Sequence, residues 1–266
     1  ISLYDYAILY EYKNYNTPYY FSVFSNPPIV FKENASTLIS RNLHNVDFSN
    51  EVGHHILVNK SYSDQVNIVL SSAFAYHHQY NELISEPGFG RIFDNMLKMN
   101  NINEFSELEP YRQVYLEFNG WNKNNNFYYK VGLDNYHEDY DSKIIKAKTL
   151  PSQFTFKLSK GNSFSTYFEY QFIEKLHFDP VLDYEYFYFS PSYNHFSKWI
   201  VSAFYDYEKK YKEGFFGVDV TYYLSDNNII SFFLGSQKGG LVCANGTCVM
   251  QPDFEDGFKV TSRVVF

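Results

Sequence analysis

Apolar and polar side chains alternate with a period of two along almost the whole chain. Tyr or Ile occupies every even position from Tyr4 to Tyr12, while the odd positions between them carry Asp5, Ala7, Leu9 and Glu11. The same alternation recurs at Phe127–Leu133 and at Phe164–Phe172. Because a period of two places neighbouring side chains on opposite faces of a sheet, the pattern predicts an all-β fold. The 27 Tyr and 27 Phe residues agree with it, since aromatic residues favour strands.

The spacing of the predicted strands indicates a transmembrane β-barrel. About thirteen or fourteen strands of roughly 9–13 residues are expected, near the length that crosses a bilayer at a tilt; the weaker candidates lie at about 18–26, 51–60, 184–191 and 229–236. Short polar turns are predicted at 14–17, 61–64, 123–126, 159–162, 193–197 and 225–228. They alternate with longer links at about 28–50, 79–110, 136–152, 174–183, 208–214 and 236–256.

This alternation places all short turns at one end of the sheet and all long links at the other. Antiparallel up-and-down barrels of the bacterial outer membrane have short periplasmic turns and long external loops, whereas a soluble sandwich has no reason to separate them. We therefore expect residues 1–266 to form a single integral outer-membrane barrel domain. In this topology the first strand runs inward from outside.

Composition and charge exclude several other classes of protein. An apolar content of 45% excludes disorder, and the net charge of −8 argues against nucleic-acid binding and against a polybasic membrane patch. The mean hydropathy is −0.39, and no apolar run approaches the roughly 18 residues that a transmembrane helix needs. Because the strands are predicted to form an outer-membrane barrel, outer-membrane lipid is their expected partner.

The two ends of the chain carry further signals. The sequence begins at Ile1 without Met or an export signal, and an odd strand count beginning outside lacks one strand; both predict that residues upstream are missing. At the other end, Phe266 resembles the terminal Phe signal of outer-membrane proteins. An aromatic girdle at headgroup level is predicted from Tyr20, Tyr136, Trp199 and Tyr207.

Two segments resemble a family of outer-membrane barrel proteins of Bacteroidota that is known as a domain of unknown function. They are TLISRNLHNVDFSNEVG at Thr37–Gly53 and FFLGSQKGGLVCANGTCVMQPDFEDGFKVTSRVVF at Phe232–Phe266, together about a fifth of the chain. The resemblance implies an outer-membrane location and an external loop that bears a disulfide, and it implies no activity. Members of the family are longer than this chain.

Cys243 and Cys248 are the only cysteines, and Asn245-Gly246 between them is a strong signal for a tight turn. A disulfide that closes the tip of the external loop at 236–256 is the prediction, with two reduced thiols as the alternative. Two cysteines alone do not complete a tetrahedral zinc site, and the spacing of redox CxxC motifs is absent.

Other candidate metal ligands do not converge. Pairing around the turn at 61–64 places His54 opposite a residue near position 71 and His77 roughly 20 Å further along, so the pairs His54-His55 and His77-His78 do not share a metal ion. We expect these histidines near the rim, facing solvent or headgroups. The acidic stretch 137–141 lacks the spacing of an EF-hand and is expected to be a solvated external loop rather than a calcium site. Neither a metal nor a cofactor is predicted.

The long external link at 79–110 contains a predicted short helix at Phe89–Phe105. Ile92, Phe93, Met96 and Leu97 lie on one helical stripe. This helix could constrict the barrel, cap its mouth, contact another subunit or simply cover the base of its own loop.

One strand face is expected to line the lumen and to carry charges. The candidate lumen charges are Glu117, Lys130, Asp134, Lys157, Glu169, Asp206, Asp219, Lys259 and Arg263. A wet lumen with excess acid would favour cations mildly, whereas internal ion pairs would be compatible with a closed lumen.

The sequence predicts a non-enzymatic function. It contains no GxSxG elbow, phosphate loop, dinucleotide fingerprint or HExxH motif. The first hypothesis is an accessory or scaffolding subunit of an outer-membrane transport, secretion or assembly complex, with other outer-membrane or periplasmic proteins as partners. The alternatives are a channel for small solutes and a soluble secreted β-sandwich that binds glycans.

Overall fold

The computed structural model describes residues 2–3, 6–15, 36–42, 44, 51–63, 65–77, 111–140, 143–158, 161–176, 182–196, 198–225, 228–244, 247–251 and 253–264. These residues are almost entirely β-strand: β1 Ser2–Leu3, β2 Tyr6–Tyr15, β3 Glu51–Ser63, β4 Val66–His77, β5 Tyr111–Trp121, β6 Phe127–Tyr140, β7 Lys143–Lys157, β8 Ser163–Leu176, β9 Leu182–His195, β10 Trp199–Glu208, β11 Glu213–Ser225, β12 Asn228–Gln237, β13 Gly240–Ala244, β14 Thr247–Gln251 and β15 Phe254–Val264. A 3₁₀ helix spans Ile39–Arg41. No helix in the described part of the chain is long and apolar enough to cross a membrane.

The strands pair in the order in which they follow one another along the chain. A 13-stranded antiparallel sheet runs from β1 through β12 to β15, and β13 and β14 form a separate two-stranded hairpin. Every neighbouring pair in the large sheet is antiparallel, as in Glu117↔Gly132 between β5 and β6. The predicted all-β, antiparallel up-and-down fold is confirmed.

The two ends of the sheet differ in the length of their connections. At one end, here called the short-turn end, the connections are 64–65, 122–126, 158–162, 196–198 and 226–227. The long links 16–50, 78–110 and 238–253 all lie at the opposite, long-link end. Three links predicted to be long are reduced to 141–142, 177–181 and 209–212, because strand pairing continues through the sequence on either side of them.

The first connection differs from the prediction in topology. β2 pairs directly with β3, from Tyr6↔Lys60 to Tyr15↔Glu51, so no strand lies between them in the sheet. The strand predicted at 18–26 falls outside the described residues. β2 therefore runs toward the long-link end, opposite to the direction inferred from the strand count.

The polarity of the two sheet faces is the inverse of that in a soluble protein. The outer face exposes large apolar side chains, among them Leu133 at 58%, Phe216 at 54% and Phe258 at 76%. The inner face buries charged and polar groups, among them Glu169 at 0%, Gln171 at 2% and Asp134 at 4%. Since exposed apolar strands and buried carboxylates suit lipid outside and a polar interior, the sheet is a transmembrane barrel. The soluble sandwich alternative is wrong for the same reason.

The sheet curls around a piece of its own chain. Residues 36–42 and 44, here called the lumen segment, belong to the link between β2 and β3 and contact the inner face. One imidazole, that of His44, reaches carboxylates on both β3 and β6, and Arg41 reaches β10. In a flat sheet, neighbouring strands are about 4.8 Å apart and β3 and β10 would be separated by roughly 34 Å. Curvature brings these strands around the segment.

Two of the four residues predicted to form an aromatic girdle lie on the outer face. Trp199 and Tyr207 lie on the outer face of β10, toward its opposite ends. Tyr136 faces inward instead, is 2% exposed and donates a 2.6 Å hydrogen bond from its hydroxyl to Glu138. Tyr136 is paired with Gln113 near the long-link end of β6, so the alternation of the strand decides its direction. Tyr20 lies outside the described residues.

Candidate functional site: a chain segment inside the barrel

The lumen segment is a compact turn that starts at Ser36. The Ser36 hydroxyl accepts a 3.1 Å hydrogen bond from the Ile39 backbone N–H, and the Ser36 carbonyl accepts one of 3.1 Å from the Ser40 N–H. Serine favours such local turns because its short side chain reaches the backbone three residues later. The turn leaves the backbone N–H groups of Thr37 and Leu38 directed at the barrel wall.

Glu169 on β8 holds the start of this turn. One of its carboxylate oxygens accepts a 2.7 Å hydrogen bond from the Thr37 N–H, and the other accepts a 2.6 Å bond from the Leu38 N–H. The side-chain amide of Gln171 donates to the Leu38 carbonyl at 3.1 Å. Hydrogen bonds to an ionised carboxylate are among the stronger ones in proteins. Leu38, at 0% exposure, is therefore fixed against the wall through its backbone.

Arg41 fastens the segment to β10, two strands away from Glu169 and in the same row of the inner face. Its Nη1 atom lies 3.3 Å from Oδ1 of Asp206 on β10, and its Nη2 atom forms an ion pair with Oδ2. The side chain of Asp206 is 4% exposed, whereas that of Arg41 is 20% exposed. This fork-to-fork geometry uses both carboxylate oxygens and compensates a buried negative charge.

His44 bridges two further carboxylates at the long-link end. Its Nδ1 atom lies 3.0 Å from Oε1 of Glu138 on β6, and its Nε2 atom lies 3.0 Å from Oε2 of Glu51 on β3. The ring stacks on Tyr111 of β5 with centroids 4.0 Å apart. Burial by itself would lower the pKa of His44, but the hydrogen bonds and charges of Glu138 and Glu51 outweigh it and raise that pKa above its ordinary value.

The hairpin of β13 and β14 lies beside the lumen segment, since β13 contacts the 3₁₀ helix. At the base of the hairpin, Lys238 forms an ion pair of 2.5 Å with Glu208 on the inner face of β10. In the hairpin register, Cys243 stands directly opposite Cys248. The predicted turn residues Asn245 and Gly246 lie outside the described residues, and the disulfide stays a prediction.

The structure separates the histidines that the sequence grouped in pairs. His55 faces inward, between Glu11 at 3.0 Å and Ser71 at 2.9 Å, whereas His54 faces outward and stacks on Phe74. Both are 3% exposed rather than solvated. The register places His54 opposite Phe74 instead of position 71, because the turn is centred later, after a register shift between Ser61 and Ser63.

The described residues among the remaining candidate ligands do not gather around one point. The backbone of residues 137–140, predicted as an acidic loop, continues β6, so the side chains of His137, Glu138 and Asp139 alternate between the two faces. Among the residues that the structure describes, no group of three or more His, Cys, Asp or Glu side chains could hold a metal ion. His78, the helix predicted in 79–110 and Phe266 all lie outside the described residues.

All nine candidate lumen charges lie on the inner face. Four are buried carboxylates, namely Glu117, Asp134, Glu169 and Asp206. Lys130 contacts Glu117 at 3.2 Å, and Lys157 lies 3.8 Å from the centroid of the Trp121 ring. Asp219 accepts a 2.8 Å hydrogen bond from Thr221, and Lys259 and Arg263 are exposed on β15. The wall is thus polar and mostly internally compensated.

The sequence did not predict which residues bind the carboxylates of the inner face. Leu38, Arg41 and His44 belong to a link that was expected to lie outside the barrel. The only signal for their position is the presence of Arg41 and His44 near each other in a link, and such residues are common in exposed loops.

Similarity to known proteins is found among solved structures. No family model matches the sequence, and no curated protein matches it. Among solved structures, the chain is similar to the KdgM porin in complex with disordered oligogalacturonate, at 10% identity and a TM-score of 0.30, over 70% of this chain and 86% of that one. It is also similar to OmpT, an outer membrane protein of Vibrio cholerae in its trimer form, at 10% identity and a TM-score of 0.30, over 81% and 91% of the two chains.

A third similar structure is the Ralstonia pickettii toluene transporter TbuX, at 10% identity and a TM-score of 0.31, over 90% of this chain and 74% of that one. At this level of similarity, the three proteins carry no information about what this chain binds or transports. The inverted polarity of the sheet and its up-and-down topology identify an integral outer-membrane β-barrel protein.

Proposed function

We propose that this protein is a non-enzymatic outer-membrane barrel with a closed lumen, which serves as an accessory or scaffolding subunit of a transport, secretion or assembly complex. The observation that carries the proposal is the lumen segment, whose Leu38 is completely buried inside the barrel. A chain segment in that position obstructs the path that a solute would follow. Membership of the Bacteroidota barrel family is part of the same proposal.

The way in which the segment is held supports a permanent structural role. It is bonded to Glu169 on β8, Asp206 on β10, Glu138 on β6 and Glu51 on β3, so its contacts are spread around the wall. Removing it would leave several buried carboxylates without the donors that compensate them, which is costly in a low-dielectric interior. An open resting state is therefore unfavourable.

A small-solute channel is the second candidate, and one observation favours it. Hydrogen bonds and ion pairs make up most of the contacts between the segment and the wall, beside one ring stack of His44 on Tyr111. Polar contacts can be exchanged for water, so the segment could move as a gate.

Planar-bilayer recordings of the purified protein distinguish the two functions. The scaffolding proposal predicts no steady conductance for the wild-type protein. A double variant, Arg41→Ala with His44→Ala, tests whether the segment is the obstruction, because it should conduct at least intermittently. Steady conductance of the wild-type protein would overturn the closed-lumen proposal.

Pull-down from detergent-solubilised membranes, followed by mass spectrometry, tests for the partners. Stoichiometric recovery of other outer-membrane or periplasmic proteins is expected. Recovery of this protein alone, together with steady conductance, would favour the channel instead.

A further inference from the structure

A continuous row of aromatic rings crosses the inner face between β8 and β15. Tyr188 on β9 and Phe204 on β10 have centroids 6.1 Å apart and planes within 15° of each other. Phe204 and Phe233 on β12 are 5.9 Å apart with planes within 11°. Tyr167 and Phe254 adjoin the two ends of this row in edge contacts at 6.2 Å and 5.9 Å. The three central rings, here called the inner platform, are nearly parallel.

Glycine residues make room for two of the three rings of the inner platform, those of Phe204 and Phe233. Gly217, Gly235 and Gly257 stand opposite one another on β11, β12 and β15. A Cβ atom built on Gly217 would lie 2.5 Å from Cε2 of Phe233 and 2.6 Å from Cε1 of Phe204. The edges of both rings therefore occupy the space above Gly217 that a side chain would fill.

Covering a glycine with an aromatic ring stabilises a sheet, and this explains where Phe204 and Phe233 lie. It does not explain the polar groups that border them. In the register of the sheet, Phe233 stands in one inner-face row with Ser202, Asp219 and Lys259. A hydroxyl, a carboxylate and an ammonium group therefore follow one edge of the platform.

The platform is accessible on the side away from the lumen segment. Tyr188 stands opposite Asp206, which binds Arg41, whereas Phe204 and Phe233 lie successively closer to the short-turn end. All three rings are half-buried, and Lys259 beside Phe233 is exposed. A ligand that enters from the short-turn end could meet Phe233 first without displacing the segment.

We propose that the inner platform binds the pyranose rings of a neutral oligosaccharide. The C–H face of a pyranose is apolar and flat enough to cover an aromatic ring, while its hydroxyl groups need donors and acceptors at the edge of that ring. Ser202, Asp219 and Lys259 supply both kinds of group. A purely apolar ligand would displace water from these polar groups and offer no hydrogen bonds in its place, which disfavours it. This inference goes beyond the proposed function and holds for an open or a closed lumen.

Isothermal titration calorimetry with the purified full chain tests the proposal, in a detergent without sugar headgroups and with maltohexaose and cellohexaose as probes. We expect saturable binding of at least one probe. Phe233→Ala and Phe204→Ala should each weaken it by about tenfold, which corresponds to about 1.4 kcal/mol. Phe233→Tyr, which keeps the ring, should retain binding.

Phe232→Ala is the matched control, because Phe232 neighbours Phe233 on the outer face and is 52% exposed. It should leave the affinity unchanged. Circular dichroism and the electrophoretic shift on heating report whether each variant is folded. Absence of binding by both probes, or equal effects of Phe232→Ala and Phe233→Ala, would overturn the inference. Neither result depends on conductance, so the closed-lumen proposal fails or survives separately.

Discussion

His44 of the lumen segment and Glu138 of β6 are joined by a 3.0 Å contact between Nδ1 and Oε1, although 94 positions separate them in the chain. The second ring nitrogen is engaged by Glu51 at the same distance. Because both partners are carboxylates, both nitrogens donate only when the imidazole is protonated. The protonation of one side chain thus governs two of the contacts that hold the segment.

The first prediction concerns pH. The pKa of His44 in the folded protein is raised above the ordinary value of 6.5, so its contribution is complete below pH 6.5 and is lost as the pH rises through the raised pKa. Ser40 is 6% exposed, so maleimide labelling of a Ser40→Cys variant reports release of the segment. The two native cysteines are replaced by Ser, and labelling is normalised to a second reporter at exposed Lys123.

Normalised labelling at position 40 should increase with pH in this protein. In His44→Gln it should be higher at pH 6 and nearly independent of pH. Labelling that falls as the pH rises, or a pH dependence that persists in His44→Gln, would contradict the assignment.

The second prediction concerns the ion pair of Arg41 and Asp206. Arg41→Ala should loosen the segment strongly, since loss of one partner of a buried pair costs roughly 3–5 kcal/mol and Asp206 is 3% exposed. The double variant with Asp206→Asn should recover part of this loss, because the uncompensated charge is removed. Urea-dependent unfolding in lipid vesicles measures the coupling between the two sites. Strictly additive effects would show that the pair does not act as a unit.

The third prediction concerns Glu169. Its two carboxylate oxygens each accept a backbone N–H, so Glu169→Gln presents an amide N–H₂ to one of those donors and should free the turn at Thr37. Glu185→Gln is the control, because Glu185 pairs with Lys209 at 2.6 Å on the exposed outer side. That pair is worth little, and its loss should leave maleimide labelling at position 40 unchanged. Equal labelling of both variants would argue against a special role of Glu169.

The fourth prediction tests which face of the sheet meets lipid. Val260 and Thr261 are neighbours on β15, both are exposed, and they point to opposite faces. Val260→Arg should destabilise the protein in vesicles by about 2–4 kcal/mol if it lies near the midplane, whereas Thr261→Arg should be almost neutral. The reverse order would exchange the assignment of inner and outer face.

The fifth prediction concerns the hairpin at the long-link end. Cys243 and Cys248 stand opposite each other, and a disulfide between them should block alkylation by iodoacetamide until a reductant is added. Intact mass before and after reduction measures this. Alkylation of both residues in the unreduced protein would show that the two thiols are free and would contradict the prediction.

Several features of the fold could be read from local sequence. Alternation around Glu169 and Glu117 predicts which side chains share the inner face, since strand geometry fixes the direction of each residue from its neighbours. Register is harder, because it depends on where a turn is centred: the register of β3 and β4 places His54 opposite Phe74, three positions from the prediction. A small shift in the turn moves every pair in the hairpin.

The sequence by itself determined the strands, their alternating faces and the segregation of the long links, because these depend on neighbours one or two residues apart. Only the tertiary structure decided what fills the barrel. The bond between Leu38 and Glu169 joins residues 131 positions apart, and that between Arg41 and Asp206 joins residues 165 positions apart. No periodicity in a link encodes such contacts. They exist because the curled sheet presents carboxylates to one place, where buried charge must be compensated by whatever donors the chain can bring there.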